Sequence, residues 1–135
     1  MDQLFVGTFE HSLDGKGRLT LPAPHRRLLT EGGGGYLVRN DDGCVSVMTT
    51  ARFNEEAARL NVAVAERDDR PARDRARRFG ASAQDLGIDG QGRTTIPQAL
   101  KDHAGIDRDV VVVGALDHVE IWEPSAYRLV DSGRS

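Results

Sequence analysis

The sequence predicts an α+β, β-rich fold built from two similar β-hairpin/helix units. Three observations predict it. A ten-residue motif occurs twice, LDGKGRLTLP at residues 13–22 and IDGQGRTTIP at residues 88–97. Short aliphatic and β-branched runs alternate with Gly, Asn and Asp turn residues in both halves. Elements of the same type follow each motif copy in the same order, which is the signature of an internal duplication.

Leu4–Phe9 is a β-prone run interrupted by Gly7. In the first motif, Leu13 and Asp14 end one strand, Gly15-Lys16-Gly17 form a tight loop, and Arg18–Leu21 begin the return strand. A three-residue hairpin loop needs a residue at positive φ, which either glycine can supply. Alternation along the return strand puts Leu19 and Leu21 on one face and Arg18 and Thr20 on the other. Pro22 stops the ladder and suits the first turn of a helix with His25–Leu29 as its body, and Pro24 is tolerated in that same turn.

Gly32–Gly35 reads as a linker, because no Gly-Lys-Ser/Thr follows to make a phosphate loop. Tyr36–Val38 and Val45–Val47 flank Asn40–Gly43 as a second hairpin. Thr49 or Thr50 caps the next helix, in which Phe53, Ala57, Leu60 and Val64 form one apolar stripe. The second half repeats the order. Gln84–Ile88 reads as a strand, then comes the second motif, and a helix runs from Pro97 to His103 and closes at Gly105. A hairpin of Val110–Val113 and Val119–Ile121 turns around Asp117, Pro124–Val130 forms a closing helix, and Asp131–Ser135 should fray. Val119-Glu120-Ile121-Trp122 corresponds to Val45-Ser46-Val47-Met48 after a one-residue slip against the motif, consistent with a change in loop length.

These signals divide the chain into a first half, 1–65, a charged connecting helix, 66–80, and a second half, 81–135. The connector reads ERDDRPARDRARR over residues 66–78, six arginines against four acids, with Pro71 at a helix start and Phe79-Gly80 at its end. Its main reading is a solvated helix laced with salt bridges, and a secondary nucleic-acid contact is the alternative.

Bulk properties narrow the function. A chain of 135 residues with 39% hydrophobic and 29% charged residues can bury a true core as one domain. No run approaches the ~18 apolar residues that span a membrane. MDQLFVGTFEHS has an acid early and no basic region, unlike a signal peptide, so the chain reads as cytoplasmic. The single cysteine, Cys44, lies near Val45 and Val47 and suits a buried small hydrophobe. A net charge of −3 argues against indiscriminate polyanion binding. Residues 11–30 nevertheless hold Lys16, Arg18, Arg26 and Arg27 against Asp14 alone, so the first half supplies more of any attraction to a polyanion.

Across each motif loop Asp14 faces Arg18 and Asp89 faces Arg93. A surface ion pair closing a hairpin is worth roughly 0–1 kcal/mol, and many other residue pairs would serve. The same pair in both copies points instead to arginine orientation. A carboxylate holds one edge of the guanidinium and leaves the other for a ligand, and arginine on a β-ribbon matches guanine in the DNA major groove. The DNA-binding candidates are Asp14, Lys16, Gly17, Arg18 and Thr20 in the first copy, and Asp89, Gln91, Gly92, Arg93 and Thr95 in the second. Gly15 and Gly90 add close backbone approach to phosphates.

Catalysis has less support. His11, His25, His103 and His118 fit no metal-ligand spacing, and no Ser-His-Asp set or P-loop can be assembled. His25 and His103 read as packing residues at equivalent ends of the duplicated helices, and His11 as a possible phosphate contact. The expectation is a non-enzyme without cofactor or metal. A protein-interaction module is the rival class and a phosphate-binding enzyme a distant third.

Over residues 4–127 the runs GTFEHSLDGKGRLTLP, YLVRNDDGCVSV, LGIDGQGRTTIPQAL and VVVVGALDHVEIW resemble, in order, the MraZ family of bacterial transcriptional regulators. That family is related to the AbrB-type swapped-hairpin DNA-binding fold. The resemblance implies an AbrB/MraZ-like β-barrel with packed helices and protomers assembled into a ring-shaped homo-oligomer. It further implies binding of double-stranded DNA at tandem promoter boxes in the nucleoid. The regulated target would be an operon of cell-division and cell-wall genes that starts with the regulator's own gene, most simply repressed. Asp14 and Arg18 fill the first Asp-x-x-x-Arg motif of the family, Asp89 and Arg93 the second. Pro24 stands where the family usually carries lysine and Gly90 where it often carries a basic residue, so both departures remove positive charge.

Overall fold

In a computed structural model, described for residues 4–133, the two motif copies lie side by side, joined by the pairing of their return strands. The elements in chain order are β1 (Thr8–Ser12), β2 (Arg18–Thr20), α1 (Ala23–Glu31), β3 (Gly35–Asn40), β4 (Cys44–Thr49), α2 (Thr50–Arg67), α3 (Arg70–Ser82), β5 (Gln84–Asp85), β6 (Arg93–Thr95), α4 (Gln98–Ala104), β7 (Asp109–Gly114), β8 (Val119–Trp122) and α5 (Pro124–Asp131). The fold is α+β, with a six-stranded antiparallel sheet in the order β1-β7-β8-β4-β3-β5 and a separate two-stranded ladder, β2-β6.

The hairpins β3-β4 and β7-β8 form where the turn residues place them. The expected pairing across the motif does not form. Asp14 to Arg18 makes a tight turn, but β1 runs into the large sheet against β7, while β2 leaves to pair with β6. Each motif is therefore a corner between sheets, and the ribbon takes one strand from each half. In that ladder Leu19 faces Thr94, and in β4-β8 Ser46 faces Glu120. Both pairs hold corresponding places in the two halves, so a local two-fold relates the halves through these points. The ladders are not closed into the barrel that the resemblance implied, since β1 and β5 end the large sheet unpaired with each other.

Other boundaries shift. Phe5 makes only an isolated bridge to Leu116, and the strand expected over 4–9 starts at Thr8. The strand expected over 84–88 shortens to Gln84–Asp85. Helix α2 extends to Arg67, where Asp68 at φ 45° ends it. Asp69 then caps α3 by accepting the Ala72 N–H at 2.9 Å. Thr49, one of the two expected caps, accepts from the Arg52 N–H at 3.2 Å. The fraying expected at 131–135 falls partly on residues 134–135, outside the described residues.

The core lies between one face of the large sheet and the layer formed by α1, α4 and β2-β6. Leu19, Leu29, Val45, Val47, Val112, Val119 and Ile121 have no exposure. Each such side chain contributes roughly 1.5–3 kcal/mol, several-fold more than any surface ion pair, so apolar burial decides the fold. Cys44, Val111 and Trp122 form a smaller cluster on the opposite face under Tyr127 of α5. Beside it Phe53 stacks between Tyr36 and Phe79, at centroid distances of 4.1 and 4.9 Å. The α2 stripe is thus shared between the sheet and α3, and of its four residues only Leu60 is buried. None of the described helices is long and apolar enough to cross a membrane.

Candidate nucleic-acid interface

Each corner is built by one aspartate. The Asp14 Oδ1 accepts the backbone N–H groups of Lys16 and Arg18, both at 2.9 Å, and Oδ2 accepts the Arg18 Nε–H at 2.7 Å. Asp89 repeats this with Gln91 N–H, Arg93 N–H and Arg93 Nε–H, all at 2.9 Å. Main-chain bonds from Gly17 to Asp14 and from Gly92 to Asp89, both 3.0 Å, close the turns. Gly17 and Gly92 have φ of 75° and 79°, the left-handed region that disfavours a Cβ. Of the two candidate glycines per loop, the second therefore supplies the positive φ.

The Arg18 backbone N–H is the chief cause that holds the Asp14 carboxyl down at about 2, helped by the Arg18 side chain and the Lys16 N–H. Asp89 is lowered by the corresponding groups, the Arg93 backbone N–H first. Both carboxylates stay ionised across the physiological range. Each arginine is held through Nε, and its terminal nitrogens have no partner among the described residues.

On the ribbon Arg18 stands opposite Thr95, and Arg93 opposite Thr20. Opposed residues project to the same side, so Arg18, Thr20, Arg93 and Thr95 share one face while Leu19 and Thr94 turn into the core. The two arginine side chains are each 27% exposed, so neither is sealed under its own chain. Lys16 and Gln91 sit at the exposed tips, with Gly15 and Gly90 beside them. Gly17 and Gly92 are buried instead.

Two cations not among the candidates lie against the turns. Arg26 on α1 lies directly over Gly92, with its guanidinium where a Cβ would go. Lys101 on α4 brings Nζ to 3.4 Å from the corresponding point at Gly17. Each is the fourth residue after its motif's proline, and each reaches the turn of the opposite half. The sequence displays their matched spacing, but their destination follows only from the β2-β6 pairing.

The remaining polar groups lie elsewhere. His25 falls in the first turn of α1 and His103 in the last full turn of α4, so their expected equivalence is corrected. His25 is fully buried against Phe5 and Phe9, and burial lowers its pKa and keeps it neutral. The His103 Nε2 lies 2.7 Å from the Asn40 carbonyl oxygen. His11 is half-buried on β1. In and beside α3, Arg67, Arg70, Arg73, Arg77 and Arg78 pair with Asp69, Asp74, Asp68, Asp74 and Asp41. This is the salt-bridged surface of the main sequence reading.

Comparison with known proteins places the repeat in context. The family model described as "MraZ protein, putative antitoxin-like" matches residues 4–72 and 79–131. A relative from a Nocardioides species is named a transcriptional regulator MraZ. It is 40% identical over 129 residues, covering 96% of this chain and 87% of its own length. Relatives of the same name from Clavibacter michiganensis and Salinispora tropica are 42% and 41% identical over 124 residues. Each alignment covers 92% of this chain and 84% of the relative.

Proposed function

The chain belongs to the MraZ family, and on that premise we propose that it is a sequence-specific DNA-binding transcriptional regulator. It acts as a repressor of an operon of division and cell-wall genes headed by its own gene, in the cytoplasm and on the nucleoid. It binds tandem promoter boxes as a ring-shaped homo-oligomer and carries no catalytic activity. The site comprises Asp14, Lys16, Gly17, Arg18 and Thr20 with Asp89, Gln91, Gly92, Arg93 and Thr95, in which the two aspartates orient the arginines, Gly17 and Gly92 shape the turns, and the other side chains make the contacts.

One observation carries this reading. Two arginines are fixed through Nε by carboxylates and share the outward face of a two-stranded ribbon. Terminal guanidinium nitrogens left unpartnered are the donors that pair with guanine O6 and N7. Arg18 and Arg93 are diagonal neighbours, about 7–8 Å apart at the backbone. With base pairs stacked about 3.4 Å apart, the two reach bases roughly two steps from each other. Few phosphates contact one such ribbon, and a net charge of −3 adds no general attraction. Several ribbons on one assembly facing repeated boxes gain affinity through effective concentration.

The test begins by selecting bound sequences from a random duplex pool, then measuring affinity for one and for several selected boxes. Tighter binding to tandem boxes at moderate salt is expected, and equal affinity rules out the avidity argument. Arg18→Ala should lose preference for the selected box over a scrambled one, about 1–3 kcal/mol of discrimination, while keeping its thermal midpoint. A variant that unfolds instead shows that the ion pair serves structure.

A further inference from the structure

Arg26 and Lys101 lie outside the repeated motif, and nothing in the Asp-x-x-x-Arg pattern requires them. They nevertheless occupy matched places, each rising from the helix of one half onto the positive-φ glycine of the other half's turn. Neither has a salt-bridge partner among the described residues, and both are only partly covered. In contrast, most arginines of the connecting segment are paired off with aspartates. Leaving a cation unneutralised beside each turn is the arrangement a negatively charged ligand requires.

The surroundings of Arg26 specify that ligand further. A cleft of about 590 Å³ opens between α1 and the second turn, lined by Arg26, Thr30, Gly33, Gly34, Asp89 and Gly90 among others. Much of its wall is glycine backbone, which lets an extended polyanion approach the main chain closely. Its one carboxylate, Asp89, already accepts three N–H groups from its own turn. Arg26 is thus the free charge of the cleft and sits next to the residue that precedes Arg93.

We propose that Arg26 and Lys101 are cross-half positioning residues that each clamp a DNA backbone phosphate beside the opposite motif. The clamp sets the depth and register at which Arg93 and Arg18 meet base edges. It rests on the DNA-binding reading above and extends it to which groups grip the backbone. Because each clamp spans both halves, the ribbon docks as one unit rather than as two independent turns.

Phosphate contacts and base contacts leave different signatures. Arg26→Gln and Lys101→Gln should weaken binding to selected and scrambled duplexes by the same factor. Each should lower the slope of log affinity against log salt by about 0.9 per phosphate lost. Arg26→Lys should restore the wild-type slope, because it returns the charge. Thermal midpoints should stay close to wild type throughout. An unchanged salt slope in the glutamine variants overturns the assignment, and so does a loss confined to the selected sequence. A shifted thermal midpoint with an intact slope assigns both residues to the turns' structure alone. If the wild-type protein shows no salt-sensitive duplex binding, the proposed function falls first and this assignment falls with it. If wild type binds and only the slopes coincide, the assignment alone falls.

Discussion

Leu19 stands directly opposite Thr94 at the centre of the β2-β6 ladder, and the two are the same position in the two copies of the repeat. The local two-fold therefore passes through a pair that differs chemically. Leu19 is completely buried and Thr94 is 1% exposed, and the Thr94 Oγ1 has no hydrogen-bond partner among the described residues.

Thr94→Val should therefore stabilise the chain. It keeps the shape and removes a buried hydroxyl that lacks a partner, a penalty of about 1–3 kcal/mol. The urea midpoint should rise with an unchanged m-value. A fall in midpoint would mean that the hydroxyl is satisfied in solution.

The two turn glycines should respond unequally to alanine. Gly17→Ala and Gly92→Ala both meet the left-handed strain, about 1–2 kcal/mol. At Gly17 the added methyl is in ordinary contact with Lys101, whereas at Gly92 it displaces Arg26. Both variants should lose similar stability by thermal melting, while Gly92→Ala loses more duplex affinity. Equal affinity losses would count against Arg26 as a backbone contact.

How far the sequence reveals these features depends on how local they are. The hairpins β3-β4 and β7-β8 are legible because turn and strand residues adjoin. The Asp14 turn is legible for the same reason, since its ligands lie within four residues. Strand partnership is not local. Duplication offers β1 and β2 near-equivalent partners in the other half, and only burial of Leu19, Leu21 and Ile96 against the large sheet selects the exchange. The roles of Arg26 and Lys101 inherit that ambiguity. The apolar character of the α2 stripe is legible in its spacing, yet Phe53 packs between Tyr36 and Phe79 because α3 folds back, which periodicity in α2 alone does not encode.

Alkaline pH should loosen the β7-β8 turn. The His118 ring nitrogens lie 2.7 Å from Asp117 Oδ1 and 2.9 Å from Glu120 Oε2. Two carboxylate acceptors require a doubly protonated imidazole. Burial opposes that charge, but the hydrogen bonds and charges of Glu120 and Asp117 outweigh it and raise the pKa. Arg52 also faces this group, with Nε 2.8 Å from Asp117 Oδ2. A raised pKa gives a contribution fully present below the unfolded value near 6.5 and lost as pH rises through the folded one. Wild type should lose denaturant resistance from neutral toward alkaline pH relative to His118→Gln, and parallel profiles would refute the linkage.

Acid should act in the opposite sense on the motif turns. The carboxyls of Asp14 and Asp89 are lowered on folding, so their contribution is present above the unfolded value of about 3.9. For Asp14 it disappears as pH falls toward about 2. Side-chain carboxyl NMR shifts should show both groups titrating below ordinary aspartates, and Arg18→Ala should move Asp14 only partway back. A full return would make the guanidinium, rather than the backbone N–H groups, the main anchor.

The exchange of β2 and β6 also bears on how the chain is made. While the ribosome has delivered only the first half, β1, β2, β3 and β4 have no β7, β6, β5 or β8 to join. Their edges wait open through the synthesis of α2 and α3. A nascent chain released early would carry four such edges, ready to capture a strand from a neighbouring molecule. Once the last strand emerges, all four close within the same chain.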